Sequence, residues 1–341
     1  MLFAFVIPVI VLFIGFLMLI RGADIFVDGS SAIAKRFRIP PIVIGLTIAA
    51  MGTSLPEFAV SVSAALSGHN EVAVSNVTGS NLFNLLMVAG VCALISPLTV
   101  QRQNRMVEFP ICIGASILMA VFGATGAAAE GESGSIGLWK GSVFLLLFVG
   151  FLLYTVYVAK KSRSASVDSS ESSEGEILPL GKSIFFILAG LVAIKFGGDF
   201  VVGGDTSIGG IDLSYGAVAI ARLLGMSDTL IGLTIVAVGT SLPELVTSIA
   251  AARKNEVDMA IGNVLGSNIF NVLLILGATA VISPISFVAE NLTDVCFMIF
   301  CSILVWIFTW TGDKLVRWEG AVMVVCYAAF LIYAVARVYI I

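Results

Sequence analysis

The tract Leu46-Thr-Ile-Ala-Ala-Met-Gly-Thr-Ser-Leu-Pro-Glu57 returns as Leu233-Thr-Ile-Val-Ala-Val-Gly-Thr-Ser-Leu-Pro-Glu244, identical at ten of twelve positions. Each copy sets a proline and a glutamate inside a long apolar segment. A second pair follows at the same offset of 187: Asn76-Val-Thr-Gly-Ser-Asn-Leu-Phe-Asn84 and Asn263-Val-Leu-Gly-Ser-Asn-Ile-Phe-Asn271 agree at seven of nine positions. A duplicated chain with one acid buried per half has the plan of a membrane transporter with a midplane site shared by its halves.

Composition supports that plan. The 341 residues are 59% hydrophobic and 12% charged, against roughly 25% charged in soluble domains. The charges cluster, leaving ten apolar runs, about 2–21, 41–66, 72–97, 107–127, 138–159, 183–203, 229–251, 258–282, 292–311 and 318–340. Each approaches or exceeds the roughly 20 residues that cross a bilayer as a helix. Inside lipid the backbone must satisfy itself, so these runs read as helices. The fold class is an all-α integral membrane protein of ten transmembrane helices. The run 2–21 lacks a basic leading region and a convincing cleavage site, so it reads as a retained first helix. No basic patch suits nucleic acid; the lipid bilayer is the expected partner, and no obligate protein partner is evident. Cys92, Cys112, Cys296, Cys301 and Cys326 fall in helices without metal-ligand spacing and read as small packing residues.

Gly22-Ala-Asp24 matches Gly197-Gly-Asp199 at an offset of 175, which implies a twelve-residue insertion within 203–228. Each half then holds five helices. Five is odd, so the halves are inverted relative to one another. The expected division is a first repeat 1–159 with the motif 46–84, a cytoplasmic Ser- and Glu-rich linker 160–182, and a second repeat 183–341 with the motif 233–271. Placing the odd-numbered connections on one side puts fourteen of the eighteen basic residues there, leaving Lys140, Lys195, Arg222 and Arg337 opposite. That bias makes the basic side cytoplasmic and sets both termini outside.

Glu57 and Glu244 are the isolated charges of their segments, and a charge at membrane depth costs at least about 2.5–3.5 kcal/mol. Together they supply two negative charges, enough for one divalent cation. Pro56 and Pro243 have no N–H, so the carbonyls of Gly52 and Gly239 lose helical donors, and a break is expected near Gly52-Thr53 and Gly239-Thr240. Thr53 and Ser54 share a face with Glu57, as Thr240 and Ser241 do with Glu244. Asn76, Ser80 and Asn84 form a polar stripe on helix 3, matched by Asn263, Ser267 and Asn271 on helix 8. Such residues serve either as ligands or as helix–helix glue. The ligand reading is preferred for Ser80, Asn84, Ser267 and Asn271, and the glue reading for Asn76, Asn81, Asn263 and Asn268. Carboxylate, hydroxyl, amide and carbonyl oxygens suit Ca²⁺, Mg²⁺ or Na⁺ rather than zinc or copper, and flexible amides favour Ca²⁺. His69, in the loop between helices 2 and 3, is assigned no role.

The paired motifs Gly52-Thr-Ser-Leu-Pro-Glu57 with Gly79-Ser-Asn-Leu-Phe-Asn84, and Gly239-Thr-Ser-Leu-Pro-Glu244 with Gly266-Ser-Asn-Ile-Phe-Asn271, resemble the alpha repeats of sodium/calcium exchangers of the cation/calcium exchanger superfamily, in their minimal prokaryotic form. The resemblance implies a core of helices 2, 3, 7 and 8 around four cation sites, with helices 1 and 6 sliding across it. It implies that Glu57 and Glu244, with the Thr53 and Thr240 carbonyls, hold Ca²⁺. Ser54, Ser80, Ser241 and Ser267 would serve flanking Na⁺ sites with the Ala50 and Ala237 carbonyls, and Asn84 would complete the midplane. Asn271 departs from relatives that carry Asp there, which argues against K⁺ co-transport. The implied activity is a secondary antiporter, not an enzyme, that needs no cofactor and exchanges Ca²⁺ for Na⁺ across the prokaryotic inner membrane. A Ca²⁺/H⁺ antiporter of the same superfamily is the alternative. An intramembrane protease built on Asp24 and Asp199 is set aside because the repeat already explains those residues. A channel is disfavoured because paired buried carboxylates would bind too tightly for conduction.

Overall fold

Apolar runs without water to satisfy their backbones fold as helices, and in the computed structural model the described residues form ten main helical segments, some of them broken, with one further short helix. The structure describes residues 2–67, 71–125, 134–165, 178–208, 211–226, 235 and 237–340. Helix 1 (Leu2–Phe37) is 36 residues long, well beyond the expected 2–21. It continues past Arg21 because Ala23, Phe26, Val27 and Ala34 keep an apolar face against the core, while Asp24 and Asp28 share the opposite face one turn apart. Arg38 then turns to a φ of 53° and two prolines follow, which ends the helix. Asp24, just beyond the expected end of the first run, therefore lies well inside helix 1.

Helix 2 comprises Pro41–Thr53 and Leu55–Leu66, bent by 47°. The break falls on Ser54 (φ −85°, ψ 7°), just beyond the expected Gly52-Thr53. Helix 7 repeats it: a turn at Ala237–Gly239, a hinge at Ser241 (φ −96°, ψ 6°), then Leu242–Arg253. The start of that segment, including Leu233 and Thr234, lies outside the described residues. So do His69 and the Ser- and Glu-rich tract 166–177. Helix 5 (Leu138–Ala165) carries its winding six residues into the expected linker, and helix 6 is Leu180–Val202.

Helix 3 (Val72–Ile95) and helix 8 (Val257–Ile282) are the central pair and are mostly buried, whereas helices 1, 5, 6 and 10 (Arg317–Ile340) are mostly exposed at the periphery. Helix 4 (Asn104–Gly123) and helix 9 (Ala289–Phe308) fall between. Helix 2 crosses helix 8 at Gly45 and Gly262, where a Cβ on Gly45 would stand 2.5 Å from the Met259 carbonyl oxygen. Only glycines permit that approach. Helices 1 and 6 lie equally close: a Cβ on Gly190 would be 2.8 Å from the Gly22 carbonyl oxygen. The surface toward lipid carries Phe13, Leu17, Leu146, Leu153, Phe185 and Ile332.

Short ribbons fix the parity of the spans. Strand β1 (Leu98–Thr99), between helices 3 and 4, pairs with β6 (Lys314–Leu315), between helices 9 and 10. Strand β2 (Gly134–Ile136), between helices 4 and 5, pairs with β5 (Ile285–Phe287), between helices 8 and 9. Loops that pair share a membrane face, and six and four spans separate these pairs, both even. Helix 7 must therefore cross. The insertion after helix 6 is a hairpin of β3 (Gly204–Ile208) and β4 (Ile211–Tyr215), then a short helix, Gly216–Leu223.

Candidate cation site

The two broken helices meet at the centre, and their breaks are what bring the acids there. Ser54 ends the first half of helix 2, and Glu57 sits in the first turn of the second half; Ser241 and Glu244 do the same in helix 7. Each glutamate thus lies at a helix N-terminus, where the backbone dipole favours negative charge. The spacing Ser-Leu-Pro-Glu is that of a local capping box. Neither serine caps its own helix. The Ser54 hydroxyl donates to Glu244 Oε1 at 2.9 Å, and the Ser241 hydroxyl donates to Glu57 Oε1 at 3.0 Å. The repeats exchange partners across their pseudo-twofold axis, and both carboxylates are fully buried.

Four of the stripe asparagines, Asn76, Asn81, Asn263 and Asn268, hold helices to one another. Asn76 Nδ2 donates to the Glu57 carbonyl (3.1 Å) and to Ser61 (2.9 Å); Asn263 Nδ2 donates to the Glu244 carbonyl (3.4 Å) and to Ser248 (2.9 Å). These amides fasten helix 3 to helix 2 and helix 8 to helix 7. Asn81 and Asn268 each donate to the other's backbone carbonyl at 3.3 Å, joining helices 3 and 8. Ser80 places its hydroxyl 3.1 Å from that of Ser241.

Several buried polar atoms have no hydrogen-bond partner among the described residues: Oε2 of both Glu57 and Glu244, both side-chain polar atoms of Asn84, the Ser267 hydroxyl and Asn271 Oδ1. An unpaired buried polar group costs about 1–3 kcal/mol, more when charged. Nine further such atoms lie elsewhere among the described residues, but these six fall on candidate residues of both repeats, where they fit an oxygen-donor cation site. No group of three His, Cys, Asp or Glu side chains suited to a metal exists among the described residues. Donors beyond the two carboxylates are therefore neutral oxygens, which suits hard cations.

The remaining candidates are less uniform. Thr53 is buried, and its hydroxyl donates back to the Ala49 carbonyl at 3.0 Å. Thr240 is only partly buried. Ala50 is buried, and its carbonyl accepts the Ser54 N–H at 3.0 Å; Ala237 opens the short turn before the hinge. Two features escape the sequence reading. Helix 3 widens to a π-helix over Phe83–Val88, starting beside Asn84, and helix 8 over Asn271–Leu276. Asn81, read as glue, also accepts a hydrogen bond from Asn271 Nδ2 at 2.9 Å and so orients a candidate ligand.

An internally duplicated helical membrane protein with two buried carboxylates among neutral oxygens at paired helix breaks belongs to the secondary cation transporters. Residues 7–157 and 182–336 match the family described as sodium/calcium exchanger protein, and the chain belongs to that family. It is 33% identical to the sodium/calcium exchanger MaX1 of Methanosarcina acetivorans, over 95% of this chain and 97% of that one. It is 34% identical to the inner membrane protein YrbG of Escherichia coli, over 80% of this chain and 79% of that one. Among solved structures it is similar to the sodium–calcium exchanger NCX_Mj soaked with Na⁺ and Sr²⁺, with a TM-score of 0.77 and 32% identity, covering 96% of this chain and 97% of that one. Its function is that of a cation/calcium antiporter, a transporter and not an enzyme.

Proposed function

We propose that this chain exchanges Ca²⁺ for Na⁺ by alternating access at the central site. The observation that carries the reading is the crossed pair of glutamates, each holding one oxygen to a serine of the opposite repeat and one oxygen unpaired. Two carboxylates neutralise one Ca²⁺ or two Na⁺. Glu57 and Glu244 hold the divalent ion with the Thr53 and Thr240 carbonyls and Asn84. Ser54, Ser241, Ser80 and Ser267, with the Ala50 and Ala237 carbonyls, hold Na⁺, and the buried, unpartnered Asn271 amide oxygen is a further neutral donor. Because Ca²⁺ and Na⁺ compete for shared oxygens, loading one expels the other. Inverted repeats then open the two faces in turn. The names of MaX1 and NCX_Mj as sodium/calcium exchangers support Na⁺ as the coupling ion. The repeats are assigned to 1–159 and 183–341 around the linker 160–182, with both termini outside.

The test is Ca²⁺ uptake by sealed vesicles loaded with Na⁺ and diluted into Na⁺-free buffer, beside a set given only a pH gradient. Uptake driven by the Na⁺ gradient and unaffected by a protonophore is expected. Uptake driven by the pH gradient alone would transfer the chain to Ca²⁺/H⁺ exchange.

A further inference from the structure

The pair Gly22-Ala-Asp24 and Gly197-Gly-Asp199 marks equivalent aspartates on helices 1 and 6, and the central site uses neither. Their surroundings differ. On helix 1, Lys254 reaches across from the turn between helices 7 and 8, donating to the Asp24 carbonyl and to Asp28 Oδ1, both at 2.7 Å. On helix 6, Asp199 is paired instead with Lys195 of its own helix, with Nζ 2.7 and 2.5 Å from the two carboxylate oxygens. That ion pair is about half exposed and bridges no two elements.

Both of its members line a cavity of about 300 Å³ between helices 2, 6 and 7, on the face of the β3–β4 hairpin. Thr240, Pro56 and Pro243 also line it, so the cavity runs from the hairpin face to the residues flanking both site glutamates. An unpartnered carboxylate on that wall would attract an arriving cation, and a bare ammonium would repel it. With the Lys195 ammonium lying across both its oxygens, Asp199 presents almost no net charge. An approaching cation regains the carboxylate only by displacing the ammonium.

We propose that Asp199 is the cation-receiving group at the mouth of this entrance and that Lys195 is a tethered stand-in cation that sets how strongly the mouth competes for Ca²⁺ and Na⁺. The proposal rests on the antiport reading and adds a specificity-setting site outside the central one. A one-turn pair this exposed contributes little to folding, so its substitution leaves a folded protein in which the charge alone has changed.

The experiment is radiolabelled Ca²⁺ uptake by right-side-out and inverted vesicles at low and high ionic strength. Lys195→Met should lower the half-saturating Ca²⁺ concentration from the hairpin face about 3-fold at low salt, because a narrow cleft focuses the freed carboxylate's field. Asp199→Asn, which leaves the ammonium unpaired, should raise it by about the same factor. The double variant should return near wild type, as two residues acting through one pair do. From the opposite face none of the three should differ from wild type. The low-salt effects should fade near 1 M salt, where charges are screened within about 3 Å. Wild-type uptake with both single variants unchanged, or with equal shifts from the two faces, overturns the proposal alone. A wild-type chain that moves no Ca²⁺ under either gradient overturns the antiport reading and this proposal together.

Discussion

Each glutamate depends on the opposite repeat for one of its hydrogen bonds, which gives single substitutions a definite order. Glu57→Gln or Glu244→Gln removes one of the two negative charges and should weaken Ca²⁺ binding by about 100-fold or more, within the 2–5 kcal/mol range for losing one partner of a buried charge pair. Ser241→Ala removes the donor to Glu57 and the contact to Ser80, whereas Ser54→Ala removes only the donor to Glu244. At the low end of the roughly 1.5–3 kcal/mol that a hydrogen bond to a charged group contributes, each serine variant should lose about 10-fold, with Ser241→Ala the more affected. Titration calorimetry on purified protein checks the order; a serine variant as impaired as the glutamine variants would contradict it. The identity of these residues was legible in the sequence because a charge in an apolar run has few innocent explanations. Their crossed pairing was not. Ser-Leu-Pro-Glu reads as a local cap, and only the meeting of the two breaks turns it into an exchange between repeats.

At the scale of the element, proline chemistry located the helix breaks to within a residue or two, since a missing N–H acts on a known carbonyl. The ends of helix 1 and the π-helical stretches were not readable in that way. Helix 1 outruns its apolar stretch because its charged face is answered by Lys254 from the helix 7–8 turn, a contact 226–230 residues away in sequence. The π-helical turns lie where helices 3 and 8 pack against each other, and no residue type marks them in the sequence. The crossing of helices 2 and 8 is the sharper test of the packing. A Cβ on Gly262 would meet the Ile42 carbonyl oxygen at 2.6 Å and Gly45 Cα at 3.0 Å. Gly262→Ala should therefore destabilise the protein by about 1–3 kcal/mol, the usual result of overpacking. Gly114→Ala, with open space around the added methyl, should be neutral or stabilising by up to about 1 kcal/mol through helix propensity alone. Thermal unfolding of the two variants in detergent separates them. Equal midpoints would mean that helices 2 and 8 have room to part.

For the whole molecule, orientation is argued from where the charges end and what they do there. Of the four basic residues on the face of the helix 4–5 and 6–7 connections, Lys140 donates to the carbonyls of Phe122, Thr125 and Ser135 at 2.6–2.7 Å and so caps helix 4. Lys195 is paired with Asp199, and Arg337 holds Asp294 through two bonds of 2.9 and 3.0 Å. Positive charge on that face is largely spent on local structure. The opposite face presents Arg36, Arg38, Arg102, Lys314 and Arg317 close to loops, and Trp310 and Trp318 stand exposed at helix ends there. By the positive-inside rule this face is the proposed cytoplasmic boundary, with the two tryptophans as its aromatic belt. Three spans and one span separate the two termini from the paired β1 and β6 loops, so both termini lie on the face opposite those loops. A C-terminal alkaline phosphatase fusion, active only outside the cytoplasm, should therefore be active, and a C-terminal green fluorescent protein fusion dark. A reporter placed in the 254–256 turn should give the reverse pair. A bright C-terminal fluorescent fusion would invert the whole assignment, turning the cavity beside Thr240 into a cytoplasmic entrance while leaving the central site and its chemistry unchanged.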